Sequence, residues 1–278
     1  MKHTGWLLLT LIIIAESYCQ EVNDFPKKGS YVYYGQPGIE DNSFLLEEAF
    51  NQPMGVIQHI SNFSWENIDT GNFTFSFTQE LPLTDQTHQL SYTLYYSGSH
   101  ATTGFGDLYI SYRPRLLSEK DWAMVIPRFT LILPTGKAQD NLGKGGWGGQ
   151  FNLAATKRLS RKFVTHYNAG FTFISKADKY KVNPSGGKDL SIEKNLFYRN
   201  VGASLIWYPR QMFNLFFEYV SNFTCDIDDD GRVSHRSQIT INPGFRLCKD
   251  NGRMQIVPGL SMPINFVSGR YNYAGLIF

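Results

Sequence analysis

The feature that most constrains this chain is a two-residue alternation that returns in almost every segment after residue 55. "NFTFSFTQ" sets Phe73, Phe75 and Phe77 against Thr74, Ser76 and Thr78. "QLSYTLYY" sets Leu90, Tyr92, Leu94 and Tyr96 against Ser91, Thr93 and Tyr95. The same division separates Phe151, Leu153 and Ala155 from Gln150, Asn152 and Thr156, and Phe171 and Phe173 from His166, Asn168, Gly170 and Thr172. Near the end, Ile239, Ile241, Phe245 and Leu247 oppose Gln238, Thr240, Asn242 and Arg246. Side chains of a strand point to opposite faces in turn, so each segment reads as a strand with one apolar and one polar face.

The connections come in two kinds that alternate. "TDQTH", "SEKD", "SRK", "YPRQ" and "KDNGR" are tight and polar, whereas 98–104, 135–148, 175–194 and 225–234 are longer. Short and long connections in alternation mark an up-and-down barrel, with turns at one rim and loops at the other. The expected strands are 55–64, 72–81, 89–98, 105–116, 122–133, 149–159, 163–174, 195–207, 212–223, 236–248, 253–265 and 271–278. The fold class is therefore all-β: a single antiparallel up-and-down transmembrane β-barrel of about twelve strands spanning 55–278. An even count puts both chain ends at the rim of short turns, as bacterial single-chain barrels require. The chain closes on "YNYAGLIF", which places Phe278 in the aromatic girdle of that rim, where an assembly machinery can read the last strand.

The apolar faces are expected to meet lipid. Aromatic residues make up 15% of the chain, yet its mean hydropathy is slightly polar, so the apolar side chains are dispersed among polar ones. No segment after the first twenty residues is apolar for long enough to cross a bilayer as a helix. Lys2 and His3 precede the ten-residue apolar run Trp6 to Ala15, and Ser17 and Cys19 follow, which reads as a signal peptide over 1–19. Lipidation of Cys19 calls for a small preceding residue, and Tyr18 is bulky. Localisation in the bacterial outer membrane follows, with lipid and lipopolysaccharide as surroundings. A net charge of +2 gives no field suited to nucleic acid.

Residues 20–54 follow another pattern. Ser43 is placed to cap a short helix with Leu45, Leu46 and Phe50 on one side. The segment would lie in the periplasm, dock at the rim, or fold inward as a plug.

The segment "RFTLILPTGKAQDNLGKGGWGGQFNLAATKRLSRKFVTHYNAGFTF" resembles the outer-membrane proteins of the meta-pathway phenol-degradation family, and "GDLYISYRPRLL" resembles the strand before it. The likeness extends over 55–278. It implies a barrel related to uptake channels for hydrophobic compounds and carries no catalytic residues.

The polar faces carry Glu80, Asp107, Arg113, Arg115, Arg128, Arg158, His166, Glu218 and Arg246, together with Tyr95, Tyr109, Tyr198 and Phe216. Guanidinium groups in a lumen suit small anions; a ladder of Arg–Glu pairs that merely fills the interior is the alternative. Eight strands leave a filled interior and sixteen a channel, so twelve stand between. The expected function is passive passage of small solutes, with no enzyme activity and no cofactor. A sealed structural or adhesion barrel is the first rival.

Three further motifs deserve a reading. Asp226, Asp228 and Asp230 alternate before Gly231, like the opening of a loop that collects external Ca²⁺ weakly, although Ser237 stands at the twelfth position where such loops have Glu. The plainer reading is a solvated hairpin with an Asp-Gly turn. His235 and Ser237 share a strand face, an arrangement that would serve a lipid hydrolase. Cys225 and Cys248 fall at opposite rims, separated by much of an apolar band roughly 25 Å tall. A disulfide needs Cα atoms within about 7 Å, so both are expected to be free thiols.

Overall fold

The computed structural model describes residues 39, 43–67, 71–83, 85–100, 102–118, 121–182, 187–210, 212–251, 254–267 and 270–273. The proposed signal peptide and Phe278 lie outside them. Among the described residues, twelve antiparallel strands of one sheet follow one another in chain order without a crossover. They are β1 (Gln58–Asn67), β2 (Asn72–Pro82), β3 (His88–Gly98), β4 (Leu108–Pro114), β5 (Met124–Leu133) and β6 (Gly148–Ser160). The remainder are β7 (Phe163–Val182), β8 (Lys188–Arg210), β9 (Phe213–Ile227), β10 (Val233–Leu247), β11 (Ile264–Val267) and β12 (Arg270–Tyr273). Gly259–Ser261 adds a short piece to β10 and Thr103–Phe105 one to β3.

This sheet is curled into a barrel-like wall that is inside-out by the standards of a water-soluble domain. Along β9, Leu215, Phe217, Tyr219 and Phe223 are exposed while Asn214, Glu218 and Val220 between them are buried. Phe217 is 50% exposed and the adjacent Glu218 is 0% exposed. Phe129, Phe151, Phe171 and Phe197 form an aromatic ladder across the outer face of β5 to β8, with ring centres 5.3, 5.7 and 5.9 Å apart. Arg199 also lies on this outer face and stacks over Phe223, a charged head on a long stem that can run along apolar surface.

The main departure from the expected strands is at one rim. From the sequence, 175–194 reads as a long connection. Instead β7 and β8 continue as a hairpin, with Ala177 opposite Lys194 and Lys181 opposite Asp189. On its inner side the hairpin is supported by Ala177 and Ile192, which pack with apolar neighbours. β9 and β10 likewise run on to Ile227 and Val233. We call this rim the loop end, and the rim holding 85–87, 115–118, 121–123 and 161–162 the turn end. At the loop end Ile132, Ile174, Ala177, Leu196, Cys225 and Ile227 form a buried apolar cluster, joined by Tyr109, Ile192, Tyr198 and Val233.

Candidate functional site

The interior is organised around residues 43–52, and they do not form a helix. Helix capping by Ser43 is overruled by the barrel wall, whose side chains take the backbone N–H groups that a helix would have used. Leu45 and Leu46 donate to Glu218 Oε1 at 3.0 and 3.1 Å. Glu47 donates to Asn168 Oδ1 at 2.8 Å, and Asn168 Nδ2 returns a bond to Glu47 O at 2.7 Å. Ala49 donates to Thr156 Oγ1 at 2.8 Å, and Gln52 to Gln89 Oε1 at 2.7 Å. Arg113 reaches Glu48 O, while Gln52 Nε2 reaches Gln58 Oε1. One segment thus touches the inner faces of β1, β3, β4, β6, β7 and β9, as only a sheet wrapped around it allows. Leu46 is seated against Gly202: a Cβ there would lie 2.5 Å from Leu46 Cδ2.

The residues named from sequence take several places. Glu80 pairs with Arg113 at 3.5 Å, both buried near the turn end. Arg128 pairs with Glu47 at 2.5 Å. His166 Nδ1 meets Thr156 Oγ1 at 2.7 Å, the same hydroxyl that accepts Ala49. Glu218 Oε2 accepts Asn242 Nδ2 at 2.6 Å while its other oxygen holds the inner segment. Arg246 covers the ring of Phe216 and bonds Asn214 Oδ1; Arg158 lies over Tyr208. Tyr95 and Tyr109 meet edge to face at 5.1 Å.

Two of these residues lie outside the regular strands. Arg115 stands past the end of β4, and its N–H donates to Thr87 O at the turn end. Asp107 sits in an irregular stretch: Phe105 pairs with Tyr96 and Tyr109 with Thr93, so the chain bulges between them. Bulges re-aim side chains, and the Asp107 carboxylate accepts Gly136 N and Lys144 N, both at 3.0 Å. It ties down the 134–147 connection instead of charging the lumen.

The aspartate triplet is not gathered on one point. Asp228 Oδ1 accepts Asp230 N and Arg232 N, Asp226 meets Lys144 at 3.4 Å, and Asp229 meets Lys179 at 3.3 Å. Gly231 has φ +79°, so the stretch is a hairpin turn. Among the described residues no group of three or more His, Cys, Asp or Glu side chains is placed to hold a metal ion. Cys225 and Cys248 are free thiols. His235 and Ser237 are exposed, as are their strand neighbours Ser234 and Arg236, which line the mouth of the cavity described below.

Above the inner segment the lumen opens into a cavity of about 560 Å³. Its floor is Leu45 and Glu47, and its roof includes Lys144 and Asp226. An amide belt runs around its wall. Arg128 is opposite Asn152, Asn152 opposite Gly170, Gly170 opposite Asn200, Asn200 opposite Asn222, and Asn222 opposite Gln238. Gly170 makes room for the belt: a Cβ there would lie 2.8 Å from Asn152 Oδ1 and 2.9 Å from Asn200 Oδ1. Sequence reasoning placed several of these on polar faces but missed the belt. The signal was present: β6, β7, β8 and β9 each carry an inward asparagine.

The family described as "Putative MetA-pathway of phenol degradation" matches residues 51–212. The chain belongs to this family. No curated protein matches the chain. The family's span begins inside the inner segment and takes in β1 to β8, hence much of the cavity wall.

Proposed function

We propose that this family member is an outer-membrane barrel for passive passage of small solutes, with residues 43–52 as a plug that closes it at rest. The observation that carries this is a polar cavity lying directly over a segment held by non-covalent contacts: hydrogen bonds, an ion pair with Arg128, and apolar packing of Phe44, Leu46 and Ala49. Such a segment can move without breaking covalent bonds. The exposed aromatic and aliphatic belt supports a lipid surrounding, since in lipid every backbone group must be satisfied internally and a barrel achieves this. The loop end would face outward among lipopolysaccharide, and the turn end the periplasm. The C-terminal strand would engage the assembly machinery. Passage needs no covalent chemistry, so no catalytic residue and no cofactor is assigned. The family description points to small aromatic compounds as solutes, and Tyr109 and Tyr198 at the cavity offer rings for them to lie against.

The hydrogen bonds that hold the plug backbone also favour a sealed structural barrel, and one experiment separates the two. The full chain and a variant lacking 43–52 are reconstituted in planar bilayers. A gated pore gives discrete conductance steps that are rare in the full chain and sustained in the variant. A variant that inserts and never conducts would sink the transport reading.

A further inference from the structure

The plug presents an acid to the cavity. Glu47 is at its apex, and its carboxylate occupies Arg128, which is also in the cavity wall. The pairing is incomplete on both sides. Arg128 Nη2 serves both Glu47 Oε1 and Gln150 Oε1. Among the described residues, Arg128 Nε and Glu47 Oε2 have no hydrogen-bond partner, and the same holds for Asn152 Oδ1 and the Tyr198 hydroxyl beside the same cavity. A guanidinium favours a carboxylate that meets it with both oxygens. A free carboxylate in the cavity can adopt that arrangement, whereas Glu47, with its backbone tied both ways to Asn168, engages through one oxygen.

We propose that Arg128 is the recognition point for a small monocarboxylate with a planar apolar body, and that this ligand takes the place of Glu47 and so loosens the plug. Glu47 is then an internal stand-in for the ligand. The wall supplies the rest: Tyr109 and Tyr198 receive the planar body, and the Asn152 and Asn200 amides flank it. Charge supports an anion. The cavity is lined by Arg128, Lys144 and Arg236 against Glu47 and Asp226, and Lys144 is already paired with Asp226. When the plug withdraws, it takes one of the two acids with it. This inference rests on the pore reading above and names the ligand class and trigger of the same site.

The test uses the purified full chain with benzoate, and benzyl alcohol as its neutral counterpart. Binding is measured by calorimetry, and plug mobility by hydrogen exchange at the Leu45 to Ala49 amides. Benzoate should bind at least tenfold tighter than benzyl alcohol and should speed exchange of those amides. Glu47→Gln removes the internal competitor and should tighten benzoate about fivefold, the size expected for a partly exposed ion pair. Arg128→Gln should bring the two ligands to equal affinity, with folding checked by the gel shift of heated against unheated barrel. Equal affinities in the native chain, or a benzoate preference that survives Arg128→Gln, would overturn the proposal. So would a Glu47→Gln chain that binds benzoate no better. The variant lacking 43–52 keeps the two ideas apart. If it conducts and benzoate shows no preference, transport stands and this inference falls. If it never conducts and benzoate behaves as stated, the binding site stands and transport falls.

Discussion

The two halves of the lumen are built from the same kind of wall and reach opposite outcomes. Toward the turn end, Glu218, Asn168, Thr156 and Gln89 face the backbone of residues 45–52, and polar wall and polar chain complete one another. Toward the loop end, the amide belt faces a cavity, and an apolar cluster stands above it. An inside-out barrel must bury polar groups, and buried polar groups need partners. In one half residues 45–52 supply backbone partners to the wall; in the other the wall faces open space. The filled half should therefore carry stability and the hollow half should tolerate change.

The largest test of that contrast is Glu218→Ala beside Asn200→Ala. Glu218 accepts from Leu45, Leu46 and Asn242. Its loss should cost about 3 kcal/mol or more in chemical denaturation, since bonds to a carboxylate are among the stronger ones, and should speed exchange at 45–46. Asn200→Ala at the cavity wall should cost about 1 kcal/mol or less. Equal costs would erase the distinction. A smaller effect is expected from Gly202→Val. Its Cβ would meet Leu46 on the inner face, and overpacking of this kind costs about 1–3 kcal/mol. Gly149→Val on the outer face, where the nearest atom is 4.0 Å away, should change stability by no more than about 0.5 kcal/mol. The difference is read from denaturation midpoints of the two variants.

The smallest effect belongs to the hairpin that extends beyond the loop end. Asp178 stands opposite Glu193. Burial, and then Glu193, push its carboxyl above the ordinary 3.8, while the Tyr180 hydroxyl pulls it back. A carboxyl raised on folding holds its proton more firmly in the folded hairpin. The hairpin is thus most stable in acid and loses stability as pH rises from the ordinary value through the raised one. Asp178→Asn should therefore slow hydrogen exchange at the Ala177 to Lys181 amides at neutral pH, with no change in exchange at the plug. Faster exchange would show that the carboxylate stabilises the hairpin.

Much of the barrel could be read from the residues because alternation is a local signal. Phe73, Phe75 and Phe77 need only their own polar neighbours to declare a strand with two unlike faces. The inward set Glu80, Arg113, Arg128, Arg158, His166, Glu218 and Arg246 followed from the same parity. Asp107 escaped it because a bulge turns the chain between Phe105 and Tyr109. The aspartates of "DIDDDG" looked like ligands in sequence, yet separate lysines and backbone groups claim them.

The sequence alone determined a barrel with its apolar side chains outward, since period two and polar company are written into each strand. Only the tertiary structure decided that Ser43 starts no helix, that Glu47 meets Arg128, and that four inward asparagines stand around one cavity. Those facts depend on partners far apart along the chain: Leu45 and Glu218 are 173 residues apart, Glu47 and Asn168 121. Local preference favoured a helix at 43–50; the hydrogen bonds offered by the curved wall outweighed it.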